Sequence, residues 1–316
     1  MKRFTLLRYF VFSLVPLFLI SCKSFQEEKA RENYGTQPIV LTTFTVLADI
    51  ARNISGDRLI VQSITKPGAE IHGYKPTPSD LVRASQADLI LENGLGLELW
   101  AKNFITSAEN VPRVVLSNGM KPLLIEGDVY SGKPNPHAWM SPKRALHYVD
   151  NISKAFIDLD PKGEKIYLEN ARRYKNELTQ LDLELKGALS QIPENKRILV
   201  SCEGALSYLA DDYGFMEAYL WPVNAESQVT PRRMEKLIKI VSTNNVPVVF
   251  CESTVSEKPQ LEVARITKST FGGKFFVDSL SDKDGPASTF LDLQRHNVKL
   301  ILKGFSISEN NNGLIP

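Results

Sequence analysis

The sequence predicts an α/β protein of two lobes, each a parallel β-sheet with flanking helices, joined by one long linker helix. Three observations carry this. From residue 38 onward, short apolar runs alternate with amphipathic segments, the pattern of parallel βα units. Two stretches, "TPSDLVRASQADLILENG" and "TPRRMEKLIKIVSTNNVPVVFCES", each give a Thr-Pro helix start, a strand and a closing acid, as an internal repeat would. Between them, Tyr167, Ala171, Tyr174, Leu178, Leu181, Leu185, Leu189 and Ile192 step by three or four and draw one apolar stripe on a helix over 161–192.

The first lobe is placed at 38–160. "IVLTTF" reads as a strand, "TVLADIARNI" as a helix and "RLIVQSIT" as a second strand. "TPSDLVRASQ" is a helix with Thr77 as N-cap and Pro78 at its first position. "ADLILENG", "LELWAKNFITSA" and "RVVLS" continue the alternation. "PNPHAWMSP" is pinned by Pro136 and Pro142, so it reads as a stiff loop entering a helix near Ser141. The linker helix, 161–192, is stiffer than a loop crossover, so no large hinge motion is expected. The second lobe, 193–316, repeats the plan: "RILVSC", "GALSYLADDYG", "EAYLWPV", "TPRRMEKLIKIVSTN", "PVVFCES", "QLEVARITKST", "KFFVDS" and a final helix "STFLDLQRHNVKLILKGF".

The N-terminus stands apart. "MKRFTLLR" is cationic, the apolar run behind it is too short to span a bilayer, and a small residue precedes Cys22, so 1–21 reads as a signal peptide. "LISC" resembles a bacterial lipobox, whose cysteine becomes the lipidated first residue. An ordinary cleaved signal with an incidental cysteine is the alternative. Acyl chains contributing ~0.8 kcal/mol per buried CH2 would then hold the chain on a membrane, and the polar stretch 22–37 would tether it. A net charge of +2, with no basic run interleaved with aromatics, argues against a nucleic-acid surface.

In open α/β sheets ligands gather beyond the carboxyl ends of the strands. Four metal-competent side chains fall there. His72 follows "RLIVQSIT", His137 lies in the loop after "RVVLS", Glu203 follows "RILVSC", and Asp278 ends "KFFVDS". Each has a plainer reading: a histidine may serve the core or the surface, and either acid can cap a helix. The other two of the chain's four histidines, His147 and His296, lie inside expected helices.

"HGYKPTPSDL", "NPHAWMSP", "SCEGALSYLADDYG" with "LWPVNAESQVTP", and "VDSLS" resemble, in order and over nearly the whole mature chain, the motif regions of one family. It is the cluster A-I metal-binding solute-binding lipoproteins of ABC importers, the zinc and manganese group. The glutamate-plus-cysteine pattern is most similar to the cyanobacterial manganese-binding members. One departure is visible: the family commonly has Asp-Pro-His at the first ligand, and "EIHGY" stands here. The resemblance implies a metal site between the lobes, with His72 and His137 from the first and Glu203 and Asp278 from the second. It also implies a monomer, no catalytic role, and delivery of the metal to a permease and its ATPase from the periplasm or the outer face of the cytoplasmic membrane.

Two imidazoles and two carboxylates make a fairly hard donor set, which favours Mn2+. Zinc-specific relatives tend to place a third histidine where Glu203 stands and to carry a histidine-rich loop, and both are missing here. Zn2+ and Fe2+ are the alternative cargoes. An exported metallohydrolase, with Glu252 nominated as its base, is the alternative function, and a surface adhesin a further one. Glu252 also reads as a structural acid near the lobe interface. The two remaining cysteines, Cys202 and Cys251, each precede a glutamate at a strand end, and an oxidising compartment favours a disulfide. Two free buried thiols, or two metal ligands, are the other readings.

Overall fold

Strand β1 (Ile39–Thr42) centres the first half of the molecule. The computed structural model describes residues 37–101, 108–126, 130–223 and 229–312, and, of these, the side chains up to 306. Around β1 lie β2 (Ile60–Ser63), β3 (Leu89–Glu92) and β4 (Arg113–Val115), all parallel, in the order β2–β1–β3–β4. Val40 pairs with Val61 on one side and with Leu89 on the other. The continuous apolar run of β3 is buried along its whole length, as a central parallel strand requires.

Helix α1 (Thr45–Ser55) buries Val46, Leu47, Ile50 and Ile54 against this sheet. Helix α2 (Pro78–Ser85) starts as its sequence dictates. The Thr77 hydroxyl accepts from the Asp80 N–H, Asp80 accepts from the Thr77 N–H at 2.7 Å, and Pro78 fills the first position. The "PHAWMSP" stretch forms one 3-10 turn at Ala138–Met140 and then α3 (Pro142–Leu159), with Ser141 in the N-cap position.

The expected linker helix is shorter at both ends. A 3-10 turn at Pro161–Gly163 precedes α4 (Glu164–Leu189), and Pro161, with no N–H to donate, separates it from α3. Its stripe is buried at every expected position from Tyr167 to Leu189, and it packs against α1 and α3. Each fully buried leucine there contributes about 1.5–3 kcal/mol. The core around α4 runs without a break from Val40 to Phe250 and Phe275, so the two halves share it.

The second half holds β5 (Ile198–Glu203), α5 (Ser207–Tyr213), β6 (Met216–Trp221), α6 (Pro231–Thr243), β7 (Val248–Glu252), α7 (Lys258–Thr267), β8 (Thr270–Phe275) and α8 (Phe290–Asn312). The pairs β5–β6 and β7–β8 are parallel. A disulfide between Cys202 and Cys251, with Cα atoms 4.8 Å apart, joins β5 to β7. The expected disulfide is therefore present. The second Thr-Pro start folds like the first, since the Thr230 hydroxyl accepts from the Arg233 N–H and Pro231 opens α6.

One strand differs from expectation. The reading of "KFFVDS" as a strand puts its start at Lys274, whereas β8 runs Thr270–Phe275. The glycines at 272 and 273 look like loop residues in sequence, but packing requires the first of them. A Cβ on Gly272 would come within 2.3 Å of the Phe250 ring and 2.6 Å of Val248. Asp278 thus lies in an irregular segment beyond the strand. The predicted leader, Cys22 and nearly all of the tether lie outside the described residues, as do residues 102–107 of the expected helix "LELWAKNFITSA". Among the described residues no helix is long and apolar enough to cross a membrane.

Candidate metal centre

The four expected side chains meet at one point. The two imidazole Nε2 atoms of His72 and His137 stand 3.1 Å apart. Glu203 Oε1 is 3.2 Å from His72 Nε2 and 3.7 Å from His137 Nε2. Asp278 places Oδ2 3.7 Å from His72 Nε2 and Oδ1 3.7 Å from His137 Nε2. Donors around one ion with bonds of about 2.1 Å are separated by roughly 3.0–3.4 Å. The His72–His137 and His72–Glu203 separations fall in that range, the three at 3.7 Å are wider, and none of the four side chains is more than 3% exposed.

His137 is the most firmly held. Its Nδ1 lies 2.9 Å from Asn135 Oδ1, which also accepts the His137 backbone N–H at 3.0 Å. The Asn135 amide cannot be turned round, because its Nδ2 donates to the Gly204 carbonyl at 2.6 Å. A carbonyl only accepts, so the oxygen end faces His137 and Nδ1 carries the proton. That leaves the Nε2 lone pair directed at the cluster. Burial first, and then the neighbouring His72, push the His137 pKa well below the usual histidine range, so the ring stays neutral.

His72 is mounted differently. The Glu70 carboxylate accepts the backbone N–H groups of His72 and Gly73, which folds the loop into a tight turn. The residue that departs from the family pattern, two places before His72, therefore has a local structural role. Farther back, Trp100 Nε1 donates to the Ile71 carbonyl at 2.7 Å and the Tyr74 hydroxyl donates to Asp80 at 2.9 Å. His72 Nδ1 is buried without a hydrogen-bond partner.

The carboxylates come from opposite ends of regularity. Glu203 is the last residue of β5, and its N–H donates to Glu252 Oε2 at 3.2 Å. Gly204 follows because a Cβ there would lie 2.6 Å from the Pro222 carbonyl. Asp278 sits on a segment fixed residue by residue. Asn297 accepts the Phe276 N–H at 3.0 Å and donates to its carbonyl at 2.7 Å. Trp139 Nε1 donates to the Val277 carbonyl at 3.0 Å, and Thr45 Oγ1 accepts the Leu280 N–H at 2.9 Å. Asp278 Oδ1 has no hydrogen-bond partner, and burial pushes its pKa up to about 6 against the pull of His72. A fully buried carboxylate with an empty lone-pair position beside two imidazole nitrogens suits a cation.

Glu252 matches the structural reading of its role. It is fully buried, burial followed by the charge of Glu203 pushes its pKa well above the usual range, and its Oε2 accepts the Glu203 N–H. His147 Nε2 donates to the Asn118 carbonyl, and His296 stacks edge-on against Phe276, both away from the cluster. Sequence reasoning assigns no role to Asn135, Glu70, Asn297 or Trp139. Asn135 and Trp139 do lie inside "PNPHAW" and Glu70 opens "EIHGY", whereas nothing in the sequence marks Asn297.

A pair of parallel-sheet halves closed on one buried site is the plan of a periplasmic substrate-binding protein. The chain matches the family "Zinc-uptake complex component A periplasmic" over residues 40–304. It is 51% identical over 266 residues to the "Iron-binding protein YfeA" of Yersinia pestis, covering 84% of this chain and 86% of that protein. It is 34% identical to the "Manganese ABC transporter substrate-binding lipoprotein PsaA" of Streptococcus pneumoniae, covering 84% and 88%. The solved structure of an Mn-bound periplasmic metal binding protein from candidatus Liberibacter asiaticus superposes with a TM-score of 0.78 at 37% identity, covering 84% of this chain and 99% of that one. The chain belongs to this family, the cluster A-I metal-binding substrate-binding proteins. It is a binding protein of a metal ABC transporter and not an enzyme.

Proposed function

We propose that this protein captures one divalent first-row transition metal ion, Mn2+, through His72, His137, Glu203 and Asp278, and hands it to the permease of an ABC importer powered by its ATPase. The carrying observation is the convergence of two buried imidazole nitrogens, 3.1 Å apart, with two buried carboxylates that each come within 3.2–3.7 Å of both. Two hard oxygen donors beside two imidazoles favour manganese over zinc in the cell, although intrinsic affinity in a test tube still follows the Irving–Williams order. The name of the manganese-binding streptococcal relative is in keeping with this choice. Iron(II) is the second reading, on the strength of the 51% identity to a relative named as iron-binding.

In this reading residues 1–21 are removed, Cys22 carries the lipid, and 22–37 tether the domain. Lobes at 38–160 and 193–316 flank the 161–192 connector in a monomer at the outer face of the cytoplasmic membrane or in the periplasm. Metal analysis of protein purified from its own envelope tests the cargo, and uptake by cells lacking the permease tests the route. One equivalent of manganese and permease-dependent uptake are expected. Iron in its place would select the second reading, and zinc would overturn both. Glu203→His should shift preference toward zinc, because an imidazole replaces a hard oxygen.

A further inference from the structure

The stretch carrying His72 is tied to the first half at its back and to the second half at its tip. At the back stand Trp100 on the Ile71 carbonyl and Tyr74 on Asp80. At the tip the Gly68 N–H donates to Ser279 Oγ at 2.7 Å, across 211 residues of sequence. The remaining bonds of the tip, among the described residues, stay within the loop: Ala69 to the Lys66 carbonyl, and His72 and Gly73 to Glu70. Lys66, Pro67 and Gly68 are exposed, whereas Ser279 is fully buried. The rim of the loop therefore reaches inward to a buried hydroxyl of the second half.

That hydroxyl is well fixed. Ser279 Oγ donates to the Leu280 carbonyl at 2.9 Å, which leaves its lone pairs for Gly68. Its neighbours Phe276, Val277 and Leu280 are each held by Asn297, Trp139 and Thr45. Ser279 also directly follows Asp278. One bond thus connects the loop bearing one proposed ligand with the segment bearing another.

We propose that Ser279 is a positioning residue for metal retention: its hydroxyl latches the His72 loop onto the Asp278 segment, and opening of this latch limits metal release. Ser279 touches no metal and acts through the loop. This rests on the reading of the four side chains as a metal site, so the test carries a separate control for that reading. A lost net hydrogen bond of this kind changes an equilibrium by about two- to tenfold, and the effect here falls on dissociation.

The experiment measures Mn2+ binding and release by the full mature domain and by Ser279→Ala, with release followed after adding excess chelator. The expected result is one ion bound by both proteins, release about three- to tenfold faster from the variant, little change in the association rate, and a small fall in the melting temperature of the metal-free form from the lost bond to the Leu280 carbonyl. The exposed Gly68 amide finds water when the latch is lost, so a purely structural role would lower metal-free stability and leave the release rate as it is in the parent. Amide hydrogen exchange in the unmutated protein gives a second reading that needs no variant: the Gly68 amide should exchange more slowly with Mn2+ bound than without. Equal release rates, or a Gly68 amide indifferent to metal, would overturn the latch while leaving the metal site intact. No stoichiometric binding by the parent would overturn both.

Discussion

The two histidines of the centre sit 3.1 Å apart on mounts of opposite kind. From Asn135 to Pro142 every residue around His137 is buried, and Asn135 and Trp139 bond to the second half. Around His72 most residues from Lys66 to Lys75 are exposed or half-exposed, and the turn is closed largely by its own Glu70. One ring has its tautomer and direction set before any metal arrives. The other has a buried Nδ1 with no partner. A binding protein that must both capture and surrender its cargo gains from this division, because one wall defines the geometry while the other moves at lower cost.

Rings on such unlike mounts are not equivalent on removal. His137→Ala should weaken Mn2+ binding by about a hundredfold or more, exceeding the 10–100-fold typical of lost outer-shell partners, and His72→Ala by about tenfold. Calorimetric titration of both variants checks this, and equal losses would erase the distinction. Asn135→Ala should follow, with a loss of about 10–100-fold despite all four proposed ligands remaining, because the tautomer of His137 is no longer imposed. It should also lower the thermal stability of the metal-free form, since the Gly204 carbonyl and the Ser207 hydroxyl lose their donor.

Glu70→Ala sharpens the other side of the comparison. Two backbone N–H groups lose their acceptor at a partly exposed turn that water can reach, so affinity should fall by about two- to tenfold. The smallest change in affinity, about threefold, is expected on breaking the disulfide with Cys202→Ser/Cys251→Ser or a reductant, because the Glu203 N–H keeps its bond to Glu252. Stability should respond more strongly, by up to about 4 kcal/mol for a closed loop of 49 residues in the chain-entropy model. Denaturant unfolding of oxidised and reduced protein separates the two effects.

Much of this was legible in the residues themselves. The stripe of α4 follows from spacing alone, the Thr-Pro starts of α2 and α6 from capping chemistry, and the stiffness of the His137 loop from its prolines. The strand-end rule selected the same four side chains that the structure brings together. What sequence did not give is the set of long-range polar contacts. The Asn135–Gly204, Trp139–Val277 and Asn297–Phe276 bonds join residues whose proximity depends on the completed fold. β8 was misplaced for a related reason. Gly272 is there to admit the ring of Phe250, and that ring is 22 positions away in the chain.

The central claim is that His72, His137, Glu203 and Asp278 enclose a single ion. Anomalous diffraction from crystals grown with Mn2+ tests it most directly. The account predicts one strong peak among the described residues, within about 2.0–2.3 Å of Nε2 of both histidines and of a carboxylate oxygen of each acid. A peak elsewhere, or one ligated from only one half of the molecule, would contradict it.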